Sequence, residues 1–259
     1  MILINLIQDL KNMNLKSNDT VLIHSSCKKI GYDAEDILDT FMEYFKDGLL
    51  LLPAHTWATI NENNPIYDPK ESLPCVGILP TLFMKRKNVY RSLHPTHSIL
   101  AYGNEALEYI KDEEYNNTPA TPHGVYDRLR EKNAKILLLG VGNERNTFIH
   151  SVEEVLNIPN RLGDKPMHLY IKVNDKLIDS YMRRHYNEKE PHISMAFPKL
   201  DKAFLALKAM EEYQFGEAKA LVCDANKIFN VTRHILRKNP EIIINEEIIV
   251  DSLWTDFKD

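Results

Sequence analysis

Lys135–Pro159, KILLLGVGNERNTFIHSVEEVLNIP, is the stretch whose reading decides the fold. Ile136 to Leu139 is a short apolar run of the length expected for a buried strand. Gly140, Gly142 and Asn143 then supply a turn, and the segment after them reads as a helix. Thr147, His150 and Glu153 are spaced three apart, with Glu154 four from His150. That spacing lays a hydroxyl, an imidazole and a carboxylate along one helix face, just beyond the carboxyl end of a strand. Ligands and chemistry collect there in α/β sheets. A histidine with a carboxylate one turn on can serve as a general base, the carboxylate orienting the ring and favouring its protonated form. The same spacing also suits an ordinary solvated ion pair, and Thr147 a hydroxyl bonded back to its own turn.

Working outward, Thr20–His24 and Leu49–Leu52 read as buried strands, and Ile99–Tyr102 as a third. Helical stripes run over Met1–Asn14 and over Ile37–Phe45 after a cap at Asp33. Helices are also expected over Val76–Lys87, Asn104–Ile110, Val125–Glu131, Ala203–Met210 and Asp224–Leu236. Ala54–Pro74 reads as a long loop over a sheet edge. Met167–Val173 and Leu177–Met182 flank Asn174-Asp175-Lys176 as a hairpin, and Glu241–Val250 holds two isoleucine-rich pieces. Strands and helices alternate before the centre and an antiparallel segment follows, so we expect one α/β domain over residues 1–259, a mixed sheet covered by helices on both faces.

The chain has 259 residues, 44% hydrophobic and 27% charged, enough for a substantial core. Its net charge of −5, with basic residues scattered, argues against a nucleic-acid partner. Cys27, Cys75 and Cys223 are too far apart for a CxxC site and odd in number, and no apolar run approaches a membrane span, so the expected setting is a reducing cytoplasm. Composition leaves homo-oligomerisation open.

Three polar clusters follow apolar segments: His24-Ser25-Ser26, Arg91-Ser92-Leu93-His94-Pro95-Thr96-His97-Ser98, and Thr147 to Glu153. Arg91 offers a planar fork and Ser92 a further donor, a pairing suited to phosphate or, equally, to a structural loop. Ser25 and Ser26 could present hydroxyls and backbone N–H groups to an anion. His94, His97 and His150 raise the alternative of a metal-dependent hydrolase, although HxxH is a weak pattern and a catalytic zinc requires three well-placed ligands. GxSxG and Walker A are absent, and GVGNERN is not GxGxxG, which makes a serine hydrolase a poor fit and disfavours nicotinamide binding.

Taken in order, these segments resemble the aminoglycoside 3-N-acetyltransferase (antibiotic N-acetyltransferase) family. The matching pieces are Val21-Leu22-Ile23-His24-Ser25-Ser26 with Gly31, Leu51-Leu52-Pro53-Ala54-His55-Thr56-Trp57, and Gly77-Ile78-Leu79-Pro80. They continue with Arg91–Ser98, Leu137–Gly142 and Asn146-Thr147-Phe148-Ile149-His150 with Glu153. The resemblance implies an α/β sandwich distinct from the GNAT fold and direct acetyl transfer from acetyl-CoA to a primary amine, without a metal. It makes His150 the general base, Glu153 its orienting carboxylate and Thr147 a holder of the thioester or oxyanion. His94 lines the same cleft, and Ser25, Ser26, Arg91, Ser92 and Ser98 belong to the coenzyme side. The implied acceptor is an aminoglycoside or related amino sugar, with a biosynthetic amine as the alternative. A pocket for a polycation calls for carboxylates; Glu62, Asp68, Glu113, Glu114 and Glu154 are the candidates. The run Pro80-Thr81-Leu82-Phe83-Met84 departs from the family, whose members often carry glutamate and then phenylalanine-arginine after GxLP.

Overall fold

The computed structural model describes residues 2–258. Among the described residues ten strands form two sheets: β1 Thr20–Ser25, β2 Leu49–Pro53, β3 Ile66–Tyr67, β4 Tyr90–Arg91, β5 Ile99–Gly103, β6 Lys135–Leu139, β7 Met167–Val173, β8 Lys176–Met182, β9 Met210–Phe215 and β10 Ala218–Asp224. The larger sheet has the order β4-β5-β2-β1-β6-β10-β9, and the smaller is β3-β7-β8. β1 lies between β2 and β6 and is parallel to both, while β5 and β10 flank this trio antiparallel. The sheet is therefore mixed, as the alternation of elements predicts.

The three parallel strands are apolar on both faces because both are covered. Leu22, Leu49, Leu51, Ile136 and Leu138 pack with Phe148, Val152, Ile228 and Ile235, from helices Phe148–Val155 and Ala225–Lys238. Their neighbours Val21, Ile23, Leu50, Leu52, Leu137 and Leu139 pack with Leu6, Leu10, Ile37 and Phe41, from helices Ile2–Asn12 and Ala34–Tyr44. Strict alternation along each strand thus builds two cores, each fully buried leucine contributing roughly 2 kcal/mol.

Several elements differ from the sequence expectation. The hairpin β9–β10 was not expected, since Glu211, Glu212 and Gln214 face water from the sheet's outer edge and break the apolar signal. Consequently the helix expected over Ala203–Met210 is only Asp201–Ala206, ended by Lys208 at φ 51. Within the long loop, Ile66–Tyr67 adds a parallel strand to β7. The helices expected at 76–87, 104–110 and 125–131 shrink to Ile78–Phe83, Ala106–Tyr109 and Arg128–Glu131. The isoleucines of 241–250 form no strand; Ile242, Ile243 and Ile244 plug the first core from a turn. The helix Ala225–Lys238 starts where expected, because the Asp224 side chain accepts from the Lys227 N–H at 3.0 Å. No helix of the described residues is long and apolar enough to cross a membrane.

Candidate active site

Parallel strands point their carboxyl ends the same way, so Ser25, Pro53 and the turn after Leu139 reach one edge of the sheet. β5 runs antiparallel to β2 with Ile99 opposite Pro53, which brings the preceding Thr96 and His97 to that same edge. A cavity of about 750 Å³ opens there, bounded by Ser25, His55, His97, Thr147, His150 and His185 among others.

The turn that delivers Thr147 and His150 is held by backbone and amide geometry. Gly140 has φ +70, and a Cβ on it would lie 2.9 Å from that of Lys29, so glycine is required at this bend. Beyond it the fully buried Asn143 donates to Asp201 Oδ1 at 2.7 Å, and Asn146 Nδ2 donates to Asn143 Oδ1 at 2.9 Å. These bonds fix the loop of polar residues against the start of helix Phe148–Val155.

On that helix His150 Nδ1 and Glu153 Oε2 are 3.0 Å apart. Glu153 Oε1 accepts from Arg161 Nε at 2.5 Å, and Arg161, itself buried, donates to Pro240 O at 2.5 Å. The buried carboxylate therefore stands between an imidazole and a guanidinium; burial pushes its pKa up, but the hydrogen bond to His150 and the charge of Arg161 outweigh it and hold the pKa low. His150 shifts against the expectation drawn from its carboxylate neighbour. Burial, reinforced by His185, overrides Glu153 and lowers its pKa to about 4. The ring is neutral at pH 7 and offers a lone pair.

His185 lies against His150 with ring centroids 3.9 Å apart, and Phe197 closes the other side at 4.7 Å. His185 Nε2 is 2.6 Å from Glu154 Oε1, which also accepts from Ala120 N at 2.9 Å; Thr118 Oγ1 donates to Glu154 Oε2. Adjacent carboxylates of one helix thus each hold one histidine of a closely packed, tilted pair. Arg161 and His185 were missed by sequence reasoning, because each reaches the helix from a later loop and no spacing announces the contact. HYNEKEP and NRLG carry no motif.

The remaining expected residues divide by position. Thr147 and Ser25 are on the cavity wall. Ser26 lies behind it, its N–H bonded to Leu139 O at 2.9 Å. His94 is buried behind the wall with both nitrogens engaged by backbone: Nε2 is 3.0 Å from Thr118 O, and Nδ1 accepts from His97 N at 2.9 Å. Its pKa is lowered to about 4 by burial. Arg91, Ser92 and Ser98 are turned away from the cavity into an internal staple. Arg91 donates to Ser98 Oγ at 3.0 Å, to Ser72 O at 2.5 Å and to Ala54 O at 2.8 Å, and stacks over Tyr67. Ser98 donates to Ala54 O at 2.7 Å, and Ser92 Oγ accepts from Ile99 N at 3.0 Å. With these donors committed, the stretch anchors the long loop to β5.

His94, His97 and His150 do not converge as a ligand set, since the first spends both nitrogens on backbone. Among the described residues, the group with suitably placed ligand atoms is His150, Glu153 and His185. Nor do the candidate carboxylates line the cavity. Asp68 pairs with Lys172 at 2.9 Å, and Glu113 is buried against Val125 N at 3.0 Å, its pKa raised to about 7 by burial. Glu154 holds His185, and Glu62 and Glu114 are off the wall. The carboxylate on the wall is Glu144, beside Arg145, with Arg184 also lining the cavity.

Comparison with known proteins places the chain. The family model described as aminoglycoside 3-N-acetyltransferase matches residues 22–237. Aminoglycoside N(3)-acetyltransferase IV of Salmonella sp is 27% identical over 247 residues, covering 93% of this chain and 89% of that protein. The crystal structure of the Bacillus subtilis YokD protein superposes with a TM-score of 0.80 at 19% identity, over 92% of this chain and 94% of that one. A complex of AAC-IIIb with CoASH gives a TM-score of 0.80 at 20% identity, over 91% and 96% of the two chains. The fold is thus that of these acetyltransferases, and the ordered set of segments, with the matched span of residues 22–237, leads to one conclusion: the chain belongs to the aminoglycoside 3-N-acetyltransferase family, and is an N-acetyltransferase.

Proposed function

We propose that the protein transfers an acetyl group from acetyl-CoA to a primary amine of an aminoglycoside or related amino sugar, directly, with His150 as general base. The observation that carries this reading is the neutral His150 ring on the cavity wall, its Nδ1 held 3.0 Å from Glu153 in a member of this family. The solved relative with bound CoASH supports the coenzyme, and a variant of aminoglycoside acetyltransferase AAC(3)-IVa in complex with a gentamicin supports the acceptor class.

Acetyl-CoA supplies an acyl group on a thioester. An amine protonated in water must lose a proton before its nitrogen lone pair can attack, and His150 Nε2 takes that proton while Nδ1–H is fixed on Glu153. The C–N bond forms, the C–S bond breaks, and the proton passes from His150 to the departing sulfur. The imidazolium formed in between is stabilised by Glu153, whose charge Arg161 maintains. Thr147, on the wall one turn before His150, is the hydroxyl we assign to the charge developing on the acyl oxygen. Ser25, at the end of β1, is assigned to the coenzyme side.

A second reading differs in the acceptor. The wall carries one carboxylate, Glu144, and two guanidinium groups, Arg145 and Arg184, a balance better suited to a less cationic amino sugar or biosynthetic amine. One assay tests both: release of free thiol from acetyl-CoA against aminoglycosides, amino sugars and small amines. Turnover with aminoglycosides supports the first reading and turnover confined to less cationic amines the second. Absence of thiol release across the panel refutes both.

A further inference from the structure

His185 is oriented by a bond on one nitrogen and left open on the other. Nε2 lies 2.6 Å from Glu154 Oε1, on a carboxylate held in turn by Thr118 Oγ1 and Ala120 N. Nδ1 is buried without a partner, on a side chain 7% exposed, and sits 4.0 Å from Glu153 Oε2. His150 Nδ1 is 3.0 Å from that same oxygen. Three atoms able to ligate an ion thus face one another, and one of them is a buried nitrogen with no hydrogen-bond partner to satisfy it.

We propose that His150, Glu153 and His185 form a binding site for a transition-metal dication of the zinc class, and that its occupancy switches off acetyl transfer. Two imidazoles and a carboxylate are a donor set such ions select, whereas magnesium and calcium require oxygen. The ligand atoms lie within 4.8 Å of one another. Zinc bonds of about 2.1 Å place tetrahedral ligands about 3.4 Å apart, so closing the site draws its most separated pair together by at most about 1.4 Å. The outer contacts are already in place: Glu154 holds the far nitrogen of His185, as carboxylates do behind metal-bound histidines, and Arg161 orients Glu153. The fixed charge of Glu153, Glu154 and Arg161 sums to −1, which favours a dication.

The switch follows from imidazole chemistry and rests on the assignment of His150 as base. A neutral ring has one proton. With the metal on Nδ1, that proton resides on Nε2, and no lone pair is left for the amine's proton. Nothing is oxidised or reduced, and a chelator reverses the state.

The test uses the whole protein, stripped with chelator and dialysed against Zn2+, with elemental analysis. We expect about one equivalent bound with Kd on the order of 1 µM or tighter, unaffected by millimolar Mg2+. His185→Gln should abolish this binding, and Glu154→Gln should weaken it about 10- to 100-fold. His234→Gln, at a half-buried ring paired with Asp256 away from the cavity, should leave it intact. Co2+ in the unaltered protein should give the visible spectrum of nitrogen and oxygen ligation, which keeps the test decisive where a variant fails to fold. Retention of the tight equivalent in folded His185→Gln, its loss in His234→Gln, or no tight equivalent in the unaltered protein overturns the site. Inhibition of thiol release with the same midpoint as occupancy establishes the switch; full occupancy with an undiminished rate refutes it. Dialysis requires no turnover, so failure of the acetyltransferase reading and failure of the metal site give different results.

Discussion

Replacing Glu153 by glutamine removes a negative charge from a place where nothing else can supply it. The side chains of Glu153 and Arg161 are 0% and 1% exposed, and the pair is joined at 2.5 Å. After Glu153→Gln the guanidinium keeps Pro240 O and Pro159 O, with Glu241 at 3.9 Å as its remaining acidic neighbour. Stranding one partner of a buried ion pair costs about 3–5 kcal/mol. For a chain of this size each kcal/mol lowers Tm by about 2–4 °C, so the variant should melt about 6–20 °C lower. Arg161→Met should be destabilising for the reciprocal reason. The double variant replaces two charges by neutral groups of similar size, so its loss should fall short of the sum by about 2–3 kcal/mol. Urea unfolding of the four proteins at pH 7.5 measures this coupling. Additivity within about 0.5 kcal/mol would refute the view that Arg161 is there to keep Glu153 charged. In the same series kcat should fall in Glu153→Gln even well below its melting temperature, because the imidazolium at position 150 loses its counter-charge.

Three further outcomes are expected. His150→Ala should lower kcat for thiol release about 10²- to 10⁴-fold while leaving the melt within a few degrees, and full retained activity would remove His150 as the base. His24, His94 and His150 have pKa values lowered to about 3, 4 and 4 by burial, so each stabilises the fold fully above the unfolded value near 6.5, and that stability is lost as pH falls from there towards 4. The loss is on the order of 3 kcal/mol per imidazole, offset by about one such contribution from Glu113, whose raised pKa works in the opposite sense; equal urea midpoints at pH 7 and 4.5 would contradict it. Arg91→Met should lower Tm by several degrees with little change in the KM for acetyl-CoA, since the guanidinium serves backbone carbonyls, and an unchanged melt with a raised KM would return Arg91 to the coenzyme.

The helix at 148–155 and the strand before it were legible because their signals are local. Four apolar residues, a glycine turn and a three-residue spacing are properties of contiguous chain, and His150 with Glu153 follows from that spacing alone. The parallel trio of strands was legible for the same reason, being apolar on both faces. β9 was hidden because an edge strand with one wet face carries charges that mask its pattern. Arg91, Ser92 and Ser98 illustrate a different limit. A run of polar side chains looks alike whether its donors face a ligand or the protein's own carbonyls, and the difference lies in where Ala54 and Ser72 come to rest.

Contiguous sequence sets which residue types are on offer for chemistry and that one helix face presents them, because helical period and hydroxyl, imidazole and carboxylate identity are written in neighbouring positions. Tertiary structure decided the state of those groups. Arg161 and His185 come from later in the chain and arrive through space, and burial with a second imidazole outweighs the neighbouring carboxylate in setting His150's affinity for a proton. Desolvation and Coulomb interactions depend on distance in three dimensions, which spacing along a chain does not encode.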